Sequence, residues 1–234
     1  MANPNPFFAR RARLTRWDEL LRFVQQHPAP RWAVRGHRQM NWKLRPSVGR
    51  TEGYSVAREL QLFNEFKRVG RPMVDRSKVI TDWDWLFLAQ HHGLPTRLLD
   101  WTFNPLVAIY FACQPSPRNK RDGELIAVDI ADAGQFGESD IGDEPFGILD
   151  TKFVLPTVVA PRIAAQKGLF SVHHQPQRSW RLRNQTQKHT IRADDKEWFL
   201  EFLFGMGVDA AMLMADLDGI SANLAWRYNK RGSL

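Results

Sequence analysis

Three groups of residues in this chain combine side-chain types that could do chemistry. The first is Arg35 with Gly36, inside the run "WAVRGH". A guanidinium at a strand end makes bidentate hydrogen bonds to phosphate or carboxylate. A glycine beside it would let a ligand come close to the backbone. The second group is Asp100, Trp101 and Thr102, just ahead of Asn104 and Pro105 in "QHHGLPTRLLDWTFNPLVAIYFAC". Alternate residues of a strand share a face, so the Asp100 carboxylate and the Thr102 hydroxyl would leave the strand together. They would sit beside a helix start, where free N–H groups and the helix dipole favour an anion. The same two groups would equally serve as local backbone caps. The third group is the pair Asp216 and Asp218 in "MADLDG" near the end of the chain.

The elements that must hold these residues can be read from caps and periodicity. Thr15 with Asp18 has the spacing of a capping box, so a first helix is expected from there to the prolines of "QQHPAP". "RWAVRGH" reads as a strand, and "YSVARELQLFNEFKRVG" as a helix with Leu60, Phe63 and Phe66 on one face. Thr81 and Asp84 form a second capping box, opening a helix that runs to His91 and stops at Gly93 and Pro95. "TRLLDWT" is then a strand. Asn104 caps, and Pro105 begins, a helix so apolar all round that it belongs inside a core. "GELIAVDI" and "TKFVLPTVVAP" read as strands, with Pro156 at an edge or bulge. "ADDKEWFLEFLFGMG" reads as a helix and "VDAAMLMADLDG" as a strand entering a turn. Residues 131–150 read as an acidic, glycine-rich surface loop. The order is not a regular strand–helix alternation, so the fold class is α+β: a single domain over 1–234, its core about 18–226, with a small mixed β core flanked by helices.

Composition limits the possibilities. The chain has 234 residues, 43% of them hydrophobic, and one cysteine, Cys113. That excludes an internal disulfide and a cysteine-rich zinc site and suits a reducing cytoplasm. The basic N-terminal stretch lacks an apolar run of signal-peptide length, and no stretch has the length of a membrane span. The net charge of +8 favours anionic partners: nucleic acid, nucleotide phosphates or an acidic protein.

The segments "VRGH…NWKLRPSVGR", "QHHGLPTRLLDWTFNPLVAIYFA", "AAQKGLFSVH" and "MLMADLDGISANLAW" resemble the FRG domain family, named for an aromatic-Arg-Gly motif. Val34 replaces the usual aromatic residue, and Ala215 stands where that family commonly has proline. A more distant likeness is to ADP-ribosyltransferases. In one branch of those enzymes an Arg ends the first strand, a Ser-Thr-Ser strand precedes a buried helix, and an acid comes late. This likeness implies an ADP-ribosyltransferase-like fold and NAD as glycosyl donor. It implies Arg35, Thr102 and Asp216 or Asp218 as catalytic residues, converging on one cavity with Thr102 at the nicotinamide ribose. It further implies Arg35, Gly36, His91, Thr96, Asp100, Trp101 and Thr102 as cofactor-binding positions. An NAD-consuming enzyme would harm its host unless restrained, so a toxin or phage-defence role with a neutralising antitoxin protein follows from the same likeness.

Two other classes stay open. A non-catalytic binding module would use the basic segments "RNQTQKH" and "RYNKRG", near Trp180 and Trp226, on nucleic acid or a protein. A metal-dependent nuclease would use Glu124 and Asp129, but Ile126 stands where its lysine is needed. The adjacent pairs His91-His92 and His173-His174 would each lend at most one ligand. No metal site is expected.

Overall fold

Helix α1 (Pro6–Gln26) runs straight through the expected cap at Thr15. The Thr15 hydroxyl donates back to the Arg11 carbonyl at 3.1 Å, as a threonine inside a helix does. The run "ARRARL" ahead of it is made of strong helix formers, and they carry the helix past the capping signal. The computed structural model describes residues 6–75, 77–115, 120–133, 144–156, 165–182 and 186–231. Expectations for the centre of the 131–150 loop, for the run after Pro156 and for the start of "RNQTQKH" lie outside these residues. The class is α+β. The chain forms two units, each assembled from separate stretches: unit 1 from 1–42, 102–129 and 186–234, unit 2 from 43–101 and 130–185.

Unit 1 is built on three antiparallel strands: β1 (Trp32–His37), β3 (Gly123–Asp129) and β6 (Thr186–Ile191), with β3 in the middle. Thr102, the last residue of β2 (Leu98–Thr102), pairs with Val34 on the other side of β1. Val34, Leu125, Ala127 and Ile191 point to one face. There they meet α4 (Pro105–Cys113), Trp17 and Leu20 of α1, and Phe199 and Leu203 of α6 (Lys196–Gly205). Asn104 caps α4 as expected, its Oδ1 accepting from Leu106 N–H at 3.1 Å. The expected strand at "VDAAMLMADLDG" is instead helix α7 (Ala210–Met214), followed by α8 (Leu217–Arg231). Asp209 caps α7, its Oδ1 accepting from Met212 N–H at 2.9 Å, and Ala215 ends it in the left-handed region at φ 54°. A short apolar run of Ala, Leu and Met has no period that separates strand from helix, and the Asp209 cap decides.

Unit 2 holds α2 (Val56–Gly70), α3 (Asp82–His91), the body of β2, the short α5 (Ile130–Ala133), β4 (Lys152–Val154) and β5 (Gly168–Val172). The Thr81–Asp84 capping box is present: Thr81 Oγ1 accepts from Asp84 N–H at 3.2 Å, and Asp84 Oδ2 from Thr81 N–H at 2.8 Å. The core gathers Phe63, Trp83, Trp85, Phe87, Leu98 and Phe170. Inside it lies a buried ion pair. Arg97 Nε and Nη2 donate to the two oxygens of Glu59 at 2.9 and 2.7 Å, and Tyr54 donates to Glu59 at 2.8 Å. No helix is long and apolar enough to cross a membrane among the described residues.

Candidate functional site

The strand register of unit 1 separates the two residues on which the expected catalytic set depends. Thr102 lies opposite Val34, and directly opposed residues of an antiparallel pair share a face. Arg35 is the next residue along β1, so it faces the other way. Thr102 is buried on the α4 side, where its hydroxyl accepts from Asn104 N–H at 2.9 Å. Gly36 also points to that side. A Cβ there would lie 1.9 Å from the Ala108 carbonyl and 2.8 Å from Ala112 nitrogen, so the glycine admits helix α4 and not a ligand. Asp216 Oδ1 accepts from Gly219 N–H at 2.7 Å and so caps α8; Asp218 is in the first turn of that helix. These carboxylates stand at a helix start, not in the expected turn after a strand.

The unit 2 positions are equally well defined. His91 ends α3 and its ring meets that of His92 edge-on. Thr96 is buried and donates to Gln90 Oε1 at 2.5 Å, and Gln90 in turn donates to the exposed Asp100 at 2.9 Å. Trp101 is a core residue: its Nε1–H donates to Ser171 at 2.9 Å and its ring meets Phe153 and Trp180 edge-on.

Arg35 shares its own face of unit 1 with a polar group that the sequence reading did not assemble. Arg35 Nε donates to His37 Nε2 at 3.1 Å. His37 lies opposite Glu124, and Lys188 on β6 reaches both Glu124 oxygens at 3.2 Å. His37 and Glu124 are buried. Positions 35 and 37, two apart on β1, share a face by spacing alone, but the β1–β3 register was needed to join Glu124 to them. Asp129 instead pairs with Arg31 at 2.7 Å. Among the described residues no three His, Cys, Asp or Glu side chains form a metal-binding group.

A separate cavity of about 730 Å³ lies entirely within unit 1, between the end of α4, the start of α6, and α7 and α8. Tyr110 and Trp226 give it aromatic surface, and Arg13, Lys120, Arg121, Lys196 and Lys230 give it positive charge. Its acids are largely committed. Glu197 pairs with Lys230, and Asp209 caps α7 and accepts from Asn223 at 3.1 Å. Lys196 is the unusual member. It is 7% exposed, and its ammonium donates to the Arg38 carbonyl at 2.6 Å. No carboxylate lies within 4.0 Å of its nitrogen among the described residues. Burial pulls its pKa below the ordinary lysine value, opposed by the more distant Asp122. Cys113, in the same wall, is pushed up to about 12 by burial.

The family model of the FRG domain matches residues 30–121. The match includes Arg35, Gly36, the 90–113 block and the Tyr110 wall of the cavity; Lys196 and the closing acids lie beyond it. No curated protein and no solved structure matches the chain.

Proposed function

We propose that unit 1 binds a phosphate-bearing nucleotide in the cavity around Lys196. One observation carries this: buried Lys196 lines the cavity, and among the described residues its ammonium has a backbone carbonyl and no carboxylate as its hydrogen-bonded partner. An ion out of water without a counter-charge is costly, and an anionic ligand would supply the missing charge. The volume is that of small-molecule sites, and Tyr110 and Trp226 offer a ring somewhere to rest.

Among nucleotides, the likeness of the Arg-Gly strand and its buried helix to ADP-ribosyltransferases selects NAD. In that reaction the bond from ribose C1′ to the nicotinamide nitrogen breaks, and nicotinamide leaves with the electron pair. The acceptor's nucleophile then bonds to C1′ and releases a proton. Positive charge grows on the ribose, so a carboxylate beside it lowers the barrier. In the cavity that duty falls to Asp194, since Glu197 is paired with Lys230 and Asp209 caps α7, and the pyrophosphate to Lys196. Arg35 does not line the cavity. A toxin or defence role with a neutralising protein belongs to this transferase reading, and unimpeded growth on strong expression of the chain alone would count against it.

Calorimetry with NAD, ADP-ribose, AMP and inorganic pyrophosphate tests binding. Lys196→Met should weaken it by roughly tenfold or more, the scale of a lost charged hydrogen bond. Absence of binding by all four removes the reading. Incubation with labelled NAD and total RNA, DNA and protein tests transfer; binding without label on any polymer leaves a nucleotide-binding module.

A further inference from the structure

A second candidate site lies on unit 1, supported by observations independent of the cavity. The turn after β1, residues 38–42, presents Trp42 to solvent at 38% exposure. The Arg38 guanidinium sits 5.5 Å from the centroid of its ring. Asn41 takes a left-handed conformation, φ 66°, as a tight turn requires. The turn is pinned at three places. The Arg38 carbonyl accepts from Lys196, Met40 N–H donates to the Asp122 carbonyl at 2.7 Å, and Thr190 of β6 donates to the Met40 sulfur at 3.7 Å. The exposed indole is therefore held by a built turn.

The surroundings are cationic. β6 is the outer strand of the unit 1 group, and its Lys188 keeps a side chain 52% exposed. Arg192, exposed, follows β6 next to the contact of Ala193 N–H with Asp122 at 2.8 Å. The acids nearby are engaged: Asp122 by that N–H and buried Glu124 by Lys188. Lysine on an outer strand also deters strand pairing, but that role needs no exposed tryptophan beside it.

We propose that this surface binds single-stranded nucleic acid, with a base stacked on Trp42 and phosphates held by Arg38, Lys188 and Arg192. An anchored aromatic with arginine and lysine around it is the stacking platform such strands use, and the chain's +8 charge supplies the long-range attraction.

Fluorescence anisotropy with labelled oligo-uridine, oligo-thymidine and a mixed-sequence duplex tests the proposal on the full chain. Both single strands are expected to bind, and the duplex more weakly. Trp42→Ala should weaken single-strand binding roughly tenfold, while Trp42→Phe retains most of it. Lys188→Ala should lower the slope of log affinity against log salt by about 0.7. Circular dichroism of each variant separates lost binding from lost fold. The proposal is overturned if neither single strand binds, if the duplex binds tighter, or if folded Trp42→Ala binds as the parent does.

Discussion

Lys196 donates from its buried ammonium to the Arg38 carbonyl at 2.6 Å, so one lysine lines the cavity and also holds the turn that displays Trp42. The pH behaviour of this group follows from its burial. Its folded pKa lies below the ordinary lysine value of 10.5, so between those two points the unfolded chain binds more protons. Stability contributed here therefore rises as pH climbs through that window. Anion affinity moves the opposite way, because the charged amine is what binds. Urea titrations from neutral to alkaline pH should show Lys196→Met flattening the rise. Calorimetry with pyrophosphate should show affinity falling before the ordinary lysine range is reached.

Gly36→Ala tests what the glycine of the motif is for. A methyl there meets the Ala108 carbonyl at 1.9 Å, and both neighbours are backbone. Strand β1 and helix α4 must separate, at a cost of roughly 1–3 kcal/mol. Urea denaturation should show that loss. If the glycine served a ligand, the variant would keep its stability and lose affinity.

Much of the scaffold was legible because its signals are local. The Thr81–Asp84 box, the Asn104 cap with Pro105 behind it and the all-apolar α4 each depend on neighbours in the chain, and each is present. Thr15 misled because a correct cap spacing lay within a run of stronger helix formers. The 210–214 segment misled because a short apolar run has no period to read. The strands β5 and β6 were not expected; β6, "TQKHTI", is polar and gains its place only by pairing with β3.

The site was less legible for a different reason. That Thr102 turns away from Arg35 is a fact of register between β1 and β2, and register is not written in either strand alone. The buried Arg97–Glu59 pair had a usable signal, since Glu59 lies on the same helical stripe as Phe63 and Phe66. The Lys196 ammonium had none: "DDKEW" reads as an ordinary polar helix start, and only the tertiary fold places that amine near the end of α4 with a backbone carbonyl as its partner.

Unit 2 should fail when its buried ion pair is cut on one side. Arg97 and Glu59 are 1% and 3% exposed at their side chains and joined by two hydrogen bonds. Glu59→Ala leaves a guanidinium in the core and should cost roughly 3–5 kcal/mol. Replacing both residues with apolar ones of similar volume should recover much of that loss. Denaturant midpoints of the single and double variants decide it; a single variant as stable as the parent would mean the pair contributes nothing.

His189 gives the chain an acid-side sensitivity. It packs beside Phe23, and burial holds its pKa below the ordinary value of 6.5. The folded state keeps the ring neutral while the unfolded chain accepts a proton. This contribution to stability is whole above pH 6.5 and declines as pH falls from there toward the folded pKa. His189→Gln should show a shallower loss of thermal stability over that range, and an identical slope would rule the group out.

Cys113 should be chemically silent in the native chain. It is 1% exposed on the inner end of α4, and burial raises its thiol to about 12, so at neutral pH almost no thiolate exists to react. A thiol-directed chromogenic reagent should therefore count no reactive cysteine in the folded protein and one after unfolding in guanidinium. A ligand seated deep in the cavity would touch the same wall, so nucleotide should leave the native count at nothing and slow the appearance of the thiol on unfolding. Prompt modification without denaturant would mean that the wall between α4 and α6 opens readily, and water would then reach Lys196 on that wall as well.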